Sequence, residues 1–293
     1  MKRTGYDDSM ESLIALVTGA SSGIGREAAL ALKAQGVTVY AGSRRPMPEL
    51  ARRGIHTLTL DVTDDESCQA AVAAVLAAEG GIDILVNNAG YGSYGSIEEL
   101  PMSEARRQFD VNVFGAMRLA QLVLPHMTAE RSGRIVNVSS IGGRFSMALG
   151  GWYHATKYAM EALSDALRQE VRGFGIDVVI IEPGLIHSEW AGIAAKNLKA
   201  ASGLGKYSAI AQNFAAGLEF ANRAMATNPE VVGRTIARAA TTAHPRPRYR
   251  KGAGALAVTT LVPVVPTRLY DAMITFFLEH IDDILELLSG PDD

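Results

Sequence analysis

The chain has 293 residues, 48% hydrophobic and 20% charged, with a formal net charge of -3 and a pI of about 6.1. This is enough apolar material for a sizeable globular core, and with no long basic run a dedicated nucleic-acid binder is excluded. The single cysteine, Cys68, excludes an intramolecular disulfide and a cysteine-rich zinc site and suits a reducing compartment.

The first residues, MKRTGYDDSMES, are polar and acidic and carry no apolar signal core. The longest apolar stretch, residues 253–266, holds two prolines and two threonines and is too short to span a bilayer. A cytoplasmic protein without a transmembrane segment is expected.

The first β-rich run, residues 13–17, leads into TGASSGIG and a helical pattern over 24–35. Gly19, Ser21, Ser22, Gly23, Ile24 and Gly25 thus form a glycine-rich turn between a strand and a helix. Backbone N–H groups in such a turn approach a phosphate at the helix N-terminus. The spacing G-x-x-x-G-x-G is neither the G-x-G-x-x-G fingerprint nor a Walker loop. An ordinary tight turn is the plain alternative, but the placement favours a dinucleotide site.

The second run, 38–41, ends in Ser43, Arg44 and Arg45. A site for the unphosphorylated dinucleotide usually carries an acid there for the ribose 2′-hydroxyl. Its absence, with two guanidinium groups available for a 2′-phosphate, favours NADP(H) over NAD(H). Two solvated surface arginines are the alternative.

After the third run, 57–60, come Asp61 and Val62, then a helical pattern over 64–78. Asp61 either hydrogen-bonds an adenine amino group or caps that helix. The fourth run, 84–86, ends in Asn87-Asn88-Ala89-Gly90. These asparagines either hold a turn or, being on the same rim, serve a cofactor. A long helical pattern over 104–127 contains Asn112. An amide in mid-helix needs a task, such as bending the helix or holding a water.

The fifth run, 134–138, ends in Ser139 and Ser140, and a helical pattern over 153–173 begins with Tyr153 and Lys157. Residues i and i+4 share a helical face, so the ammonium is placed to lower the phenol's ordinary pKa of about 10. A half-buried tyrosine beside a snorkelling lysine is the alternative. The sixth run, 177–181, leads to Pro183-Gly184. Helical patterns then fill 192–243, PRPRYRKG is a possible late strand, and 267–288 reads as an amphipathic helix.

Alternating strands and helices, with continuously apolar strands such as IVNV and VVII, specify an α/β fold. One doubly wound parallel sheet with helices on both faces and a C-terminal helical elaboration is expected. One domain over 1–293 is expected, with 12–188 as cofactor and catalytic core and 189–293 as substrate-loop helices and extension. Ligands in such sheets bind beyond the carboxyl ends of the strands.

Taken together, TGASSGIG, Asp61, NNAG, Asn112, Ser140, Tyr153-His-Ala-Thr-Lys157 and Pro183-Gly184 resemble the short-chain dehydrogenase/reductase family over at least residues 13–188. The resemblance implies a single Rossmann-type fold and a Ser–Tyr–Lys–Asn site. Tyr153 would be the acid in reduction and the base in oxidation, and Lys157 would lower its pKa and hold the nicotinamide ribose. Ser140 would orient the carbonyl, Asn112 would position a relay water, and Ile186 and Ser188 would lie along the nicotinamide. The family more often has threonine at the Ser188 position. Relatives usually pair their two long helices as dimers or tetramers, so a homodimer or homotetramer is implied.

The tail looks like the branch containing 17β-hydroxysteroid and retinol dehydrogenases. Trp190, Tyr207, Phe214, Leu218, Phe220, Tyr91, Tyr94, Phe145, Met147 and Trp152 are pocket candidates, and a bulky apolar carbonyl or alcohol is the favoured small-molecule substrate. The alternative is that these side chains pack helices onto the core. Residues 256–265 are expected to pack rather than touch a membrane. The rival functions are a nucleotide-sugar epimerase or dehydratase, which has a differently spaced first turn, and a non-catalytic NADP-binding regulator, which typically lacks the tyrosine or the lysine.

Overall fold

The computed structural model describes residues 12–281 and 283. The expected leader-free start therefore falls almost wholly outside the described residues, as do positions 282 and 284–288 of the expected last helix. Elements follow in chain order: β1 (Ile14–Thr18), α1 (Gly23–Ala34), β2 (Thr38–Ser43), α2 (Pro48–Arg52), β3 (His56–Thr59), α3 (Asp65–Glu79) and β4 (Ile84–Asn87). Then come α4 (Met102–Phe109), α5 (Gly115–Glu130), β5 (Gly133–Val138), α6 (Gly151–Val171) and β6 (Ile176–Pro183). The tail carries α7 (Glu189–Ser202), α8 (Ser208–Ala224), α9 (Pro229–Thr241), β7 (Arg248–Lys251), α10 (Ala255–Leu261) and α11 (Thr267–Glu279).

The seven strands form one parallel sheet in the order β3-β2-β1-β4-β5-β6-β7. The order reverses between β1 and β4, which opens a crevice at their carboxyl ends. Buried strand residues alternate between two cores. Ala15, Val17, Val39, Val86, Val136 and Val179 pack with α1 and α9 on one face. Leu16, Leu85, Ile135 and Val178 pack with α3, α5 and α6 on the other. The α1–α9 contact is close because Gly233 faces the backbone of Glu27 and Ala28, where a Cβ would stand 2.6 Å from the Glu27 carbonyl carbon.

Two expectations are corrected here. The pattern over 104–127 is not one α-helix: α4 and α5 are joined by a π turn, Asp110–Phe114. A π turn inserts one residue and re-phases the helix, which a pattern of apolar spacings does not register. Residues 256–265 also do not simply pack. Ala255 and Thr259 are buried, but Leu256, Leu261 and Val264 project into solvent. Among the described residues no helix is long and apolar enough to cross a membrane.

Candidate active site

The glycine turn is built by exclusion. Gly19 and Gly23 hold φ of 64° and 55°, a region that favours glycine. A Cβ on Gly19 would stand 2.8 Å from Ala89 Cα, and one on Gly25 would collide with Asn88 Nδ2 and the Gly19 carbonyl oxygen. Gly23 differs: the nearest group to its missing side chain is Ser188 Cβ, 3.9 Å away across the crevice.

Ser22, at the N-cap of α1, makes no side-chain capping bond, and the first turn carries no acid. The N-terminal amides of this helix thus face a space shaped for an anion. Thr18 and Asn88 brace the turn. Thr18 Oγ1 accepts from Asn88 N at 3.0 Å and Ala89 N at 2.9 Å, while Asn88 Nδ2 donates to Thr18 O at 3.0 Å and Gly19 O at 3.2 Å. Asn88 is therefore committed to holding the turn. Asn87 does not reach the rim. It is buried and donates to Ala116 O and Asn137 Oδ1 inside the sheet.

At the end of β2, Ser43 is buried and Arg44 and Arg45 point outward. Arg45 reaches back to donate to Ser21 and Ser22, which stations a cation at the mouth of the turn. Arg44 Nη1 lies 4.0 Å from Asp61 Oδ2. Asp61 does not cap α3. Its Oδ1 accepts from Thr63 N and Thr63 Oγ1, and Asp64 is the cap. Burial of Asp61 works against its charge, but these Thr63 bonds, with Arg44 and Arg107, hold its pKa below the usual value. Val62 covers the start of α5, where a Cβ on Gly115 would stand 2.5 Å from the Val62 carbonyl oxygen.

Asn112 sits within the π turn. Its Oδ1 accepts from Tyr91 N at 2.9 Å, and its Nδ2 donates to Tyr91 O at 2.8 Å and Thr156 Oγ1 at 3.1 Å. Both ends of the amide meet protein groups, so the side chain ties the loop after β4 to α6 from within the π turn.

Ser140 begins a single 3-10 turn, Ile141–Gly143, and its Oγ accepts from Gly142 N at 3.0 Å. Gly142 and Gly143 let this turn lie on α6: a Cβ on Gly142 would stand 3.2 Å from Tyr153 Cε1, and one on Gly143 3.0 Å from the Lys157 carbonyl oxygen. Leu149, just before α6, holds φ of 66°, a rare conformation for a branched side chain. Its carbonyl accepts from Gly95 N at 2.7 Å.

Tyr153 and Lys157 are buried on one face of α6, 7% exposed each. Lys157 Nζ donates to the Val138 carbonyl oxygen at 3.0 Å. Burial pushes the Tyr153 phenol up to about 12, opposed by Ser140. Burial also pushes the Lys157 ammonium down to about 8, opposed by Glu161. The expected depression of the tyrosine by the lysine is thus not what the fold alone produces, because desolvation of the phenol dominates.

Tyr153 is enclosed by rings: Tyr94 at 5.5 Å and Trp190 at 5.3 Å between centroids, with Phe214 against Tyr94 at 5.5 Å. Met147, Leu149, Ala194, Leu198, Tyr207, Leu218 and Leu278 complete this apolar cluster. Phe145 lies against His154, centroids 5.0 Å apart and ring planes tilted by 56°. Trp152 does not join; it lines a hollow of about 380 Å³ with Met102, Ala105, Phe109 and Phe114 on the far side of α6. Phe220 is outside the cluster, and Tyr91 hydrogen-bonds Glu104 through its hydroxyl.

Past Pro183, the backbone of Gly184 lies so close to Ala253 that a Cβ would collide with the Ala253 carbonyl oxygen. Ile186 bridges to Thr227, and Ser188 N donates to Asn222 Oδ1 at 3.2 Å. The structure thus brings Gly19, Gly23, Gly25, Asn88 and Ser188 together at the first turn, and Ser140, Tyr153 and Lys157 together between β5 and α6, whereas Asn87 lies inside the sheet. Thr18, Thr156, Glu161 and Arg248 were missed by sequence reasoning. The glycine-rich turn and the Tyr153–Lys157 motif contain the first two, and the paired arginines of RYRK gave a weak signal for the last.

The profile of short chain dehydrogenases matches residues 13–198. The chain belongs to the short-chain dehydrogenase family. This short-chain dehydrogenase is 43% identical over 188 residues to a probable short-chain type dehydrogenase/reductase of Helicobacter pylori, covering 63% of this chain and 69% of that one. It is 40% identical over 175 residues to a 3-ketodihydrosphingosine reductase of Bacteroides thetaiotaomicron, covering 60% and 64%. It is 37% identical over 186 residues to an NADPH-dependent 3-dehydrocapnine reductase of Ornithobacterium rhinotracheale, covering 60% and 66%. The match therefore spans about two thirds of the length of these relatives. A crystal structure of a short-chain dehydrogenase from Streptomyces avermitilis superposes with a TM-score of 0.74 at 32% identity, covering 94% of this chain and 98% of that one. This short-chain dehydrogenase is accordingly an oxidoreductase of the alcohol/carbonyl type that uses a nicotinamide cofactor.

Proposed function

We propose that the enzyme is an NADP(H)-dependent carbonyl reductase or alcohol dehydrogenase acting on a bulky apolar substrate. The observation that carries this is the setting of Tyr153. Its phenol interacts with Ser140, Lys157 is buried one helical turn away on the same face of α6, and Tyr94 and Trp190 lie against its ring with Phe214 behind Tyr94. Such a wall of rings favours an apolar ligand by burial of area, at about 25 cal/mol per Å². The names of two relatives, a 3-ketodihydrosphingosine reductase and an NADPH-dependent 3-dehydrocapnine reductase, support the same direction.

The crevice fits a dinucleotide. The uncapped start of α1 and the Arg45 guanidinium would hold its pyrophosphate and 2′-phosphate. When bound, the nicotinamide supplies or accepts the hydride. Lys157 would hold the ribose, and Ile186 and Ser188 would flank the ring. Asp61, Val62 and Asn88 would support the adenine side and the turn, and Pro183 would direct the chain past the nicotinamide.

The residues then divide the proton work. Ser140 holds the substrate oxygen and stabilises its developing charge. Tyr153 delivers the proton in reduction and takes it in oxidation. Lys157 supplies the positive charge that favours the phenolate, against the burial that raises it. Asn112 fixes the frame around them through Tyr91 and Thr156 and would position a relay water. Trp190 on α7 and Phe214 on α8 provide the substrate wall together with Tyr94 of the 12–188 core. The apolar side chains exposed on α4 to α6, Met102, Phe114, Tyr158 and Leu163, support a homodimer or homotetramer paired there.

The test is NADPH oxidation over a steroid, a retinoid, a long-chain 3-keto sphingoid base, an aliphatic ketone and a sugar. Turnover confined to the sugar, or NADH used better than NADPH, defeats the reading.

A further inference from the structure

Lys157, which the reading above places in the proton work with Tyr153, stands one helical turn from a charge network that runs to the last strand of the sheet. Glu161 lies one helical turn beyond it on α6 and is 5% exposed. Its Oε2 accepts from Arg248 Nε at 3.2 Å and Arg248 Nη2 at 3.1 Å. The same Nη2 donates to Asp165 Oδ2 at 2.6 Å, and Arg248 Nε lies 3.6 Å from Glu182 Oε1. Glu182, fully buried on β6, accepts from Arg250 Nε at 2.9 Å and has Arg144 Nε 3.9 Å from its other oxygen.

Ser139 faces this group from the end of β5: a Cβ on Gly143 would stand 3.0 Å from each of Ser139 Oγ, Glu161 Cγ and the Lys157 carbonyl oxygen. Ser139 favours the Glu161 carboxylate, yet neither Ser139 Oγ nor Glu161 Oε1 meets hydrogen-bond geometry with any described group. The hydroxyl is close but misaligned. Half of a buried carboxylate is thus left without a hydrogen-bond partner, one turn from an ammonium whose own hydrogen bond goes to a neutral carbonyl.

A carboxylate in this setting is costly unless its charge is used. We propose that Glu161, fixed by Arg248, is a positioning residue for the reaction: it is the counter-charge that keeps the Lys157 ammonium protonated and in place beside Tyr153. This rests on the reading of Tyr153 and Lys157 as a working pair. Burial is the main force raising Glu161, helped by Glu182 and opposed by Ser139 and Arg248. Arg248 on β7 is therefore part of what keeps the carboxylate ionised.

The test is Glu161→Gln, which keeps the shape and removes the charge, beside Glu161→Asp, which keeps the charge and withdraws it. The readout is the titration of Lys157 in protein carrying ¹³C at the lysine ε-carbons, the signal being assigned by its loss in Lys157→Met. Glu161→Gln is expected to lower the Lys157 midpoint by about one pH unit, a tenfold loss of proton affinity, with Glu161→Asp between it and wild type. The Kd for NADPH should begin to rise about one pH unit earlier in the Gln variant. A midpoint unchanged in Glu161→Gln, or in Glu161→Asp where the Gln variant does not fold, overturns the proposal. A purely structural carboxylate would lower the melting temperature and leave that midpoint alone. Full turnover by Tyr153→Phe would instead remove the Tyr–Lys reading, an outcome the lysine titration does not decide.

Discussion

Arg45 lies across the glycine turn, its Nε and Nη2 donating to Ser21 Oγ at 3.1 and 3.0 Å and its Nη2 to Ser22 Oγ at 2.9 Å. A phosphate offered at this place replaces neutral acceptors with charged ones, and hydrogen bonds to charged groups contribute about 1.5–3 kcal/mol. Arg45→Ala is therefore expected to raise the Kd for NADPH roughly 10- to 100-fold while changing that for NADH less than about threefold. Arg44→Ala should act in the same direction and more weakly. Equal losses for the two dinucleotides, measured by fluorescence titration, would contradict the assignment.

Tyr153→Phe removes one oxygen and keeps the ring against Tyr94 and Trp190. NADPH binding should survive, and carbonyl reduction should fall by at least about 10²-fold. In Lys157→Met, affinity and rate should fall together, since one side chain serves both. Steady-state kinetics on any ketone turned over by wild type, with a separate binding titration, decides between these patterns.

Lys157→Met should also be more stable than wild type at neutral pH. Burial lowers the lysine from 10.5 to about 8, so between those values the folded state binds fewer protons than the unfolded state. The stability linked to this group is present above the unfolded value and lost as pH falls through about 8. Removing the amine should gain on the order of 3 kcal/mol at pH 7 and almost nothing above pH 10.5. Urea midpoints of both proteins at pH 7 and pH 10.5 measure it, and a variant less stable at both would refute it.

Trp190 seals the crevice by lying on Gly92, where a Cβ would stand 2.9 Å from Trp190 Cε2. Trp190→Ala should lower kcat/KM for a planar apolar ketone roughly tenfold through lost area and ring contact. NADPH affinity should be untouched. An unchanged kcat/KM would place the substrate elsewhere.

His154 is buried, and its Nδ1 lies 2.9 Å from the Gly142 carbonyl oxygen. Burial lowers its pKa, which keeps the ring neutral. His154→Gln should lose about 1–3 kcal/mol of stability by loosening the turn after Ser140 and keep the pH–rate profile. Disappearance of a titration step from that profile would make His154 a participant in proton transfer.

Six of the seven strands lie within two residues of where apolar runs placed them. Those runs are continuous because both faces of the sheet are covered, and the seventh was legible only as RYRK in a polar stretch. The rim residues were legible because strand ends in such a sheet must converge. What stayed hidden was side-chain commitment. Asn88, Asn112 and Asn87 look alike in sequence, yet one braces a turn, one ties two elements together and one is buried in the sheet. The π turn was hidden because one inserted residue leaves the apolar pattern on either side intact. Glu161 was hidden because its partners, Arg248 and Glu182, come from strands 87 and 21 residues away in the chain.

The guanidinium groups that neutralise Glu161 and Glu182 from β7 have a consequence for the order of assembly. A chain emerging from its N-terminus contains β1 to β6 and α6 before it contains Arg248 or Arg250. During that interval, docking α6 onto β6 would bury two carboxylates without those partners, a state disfavoured by several kcal/mol per ion. The far half of the sheet is therefore expected to close late, after β7 has been made, with Tyr153 and Lys157 acquiring their surroundings at that stage. A nascent chain halted before residue 248 should accordingly have a formed glycine turn and an open catalytic helix.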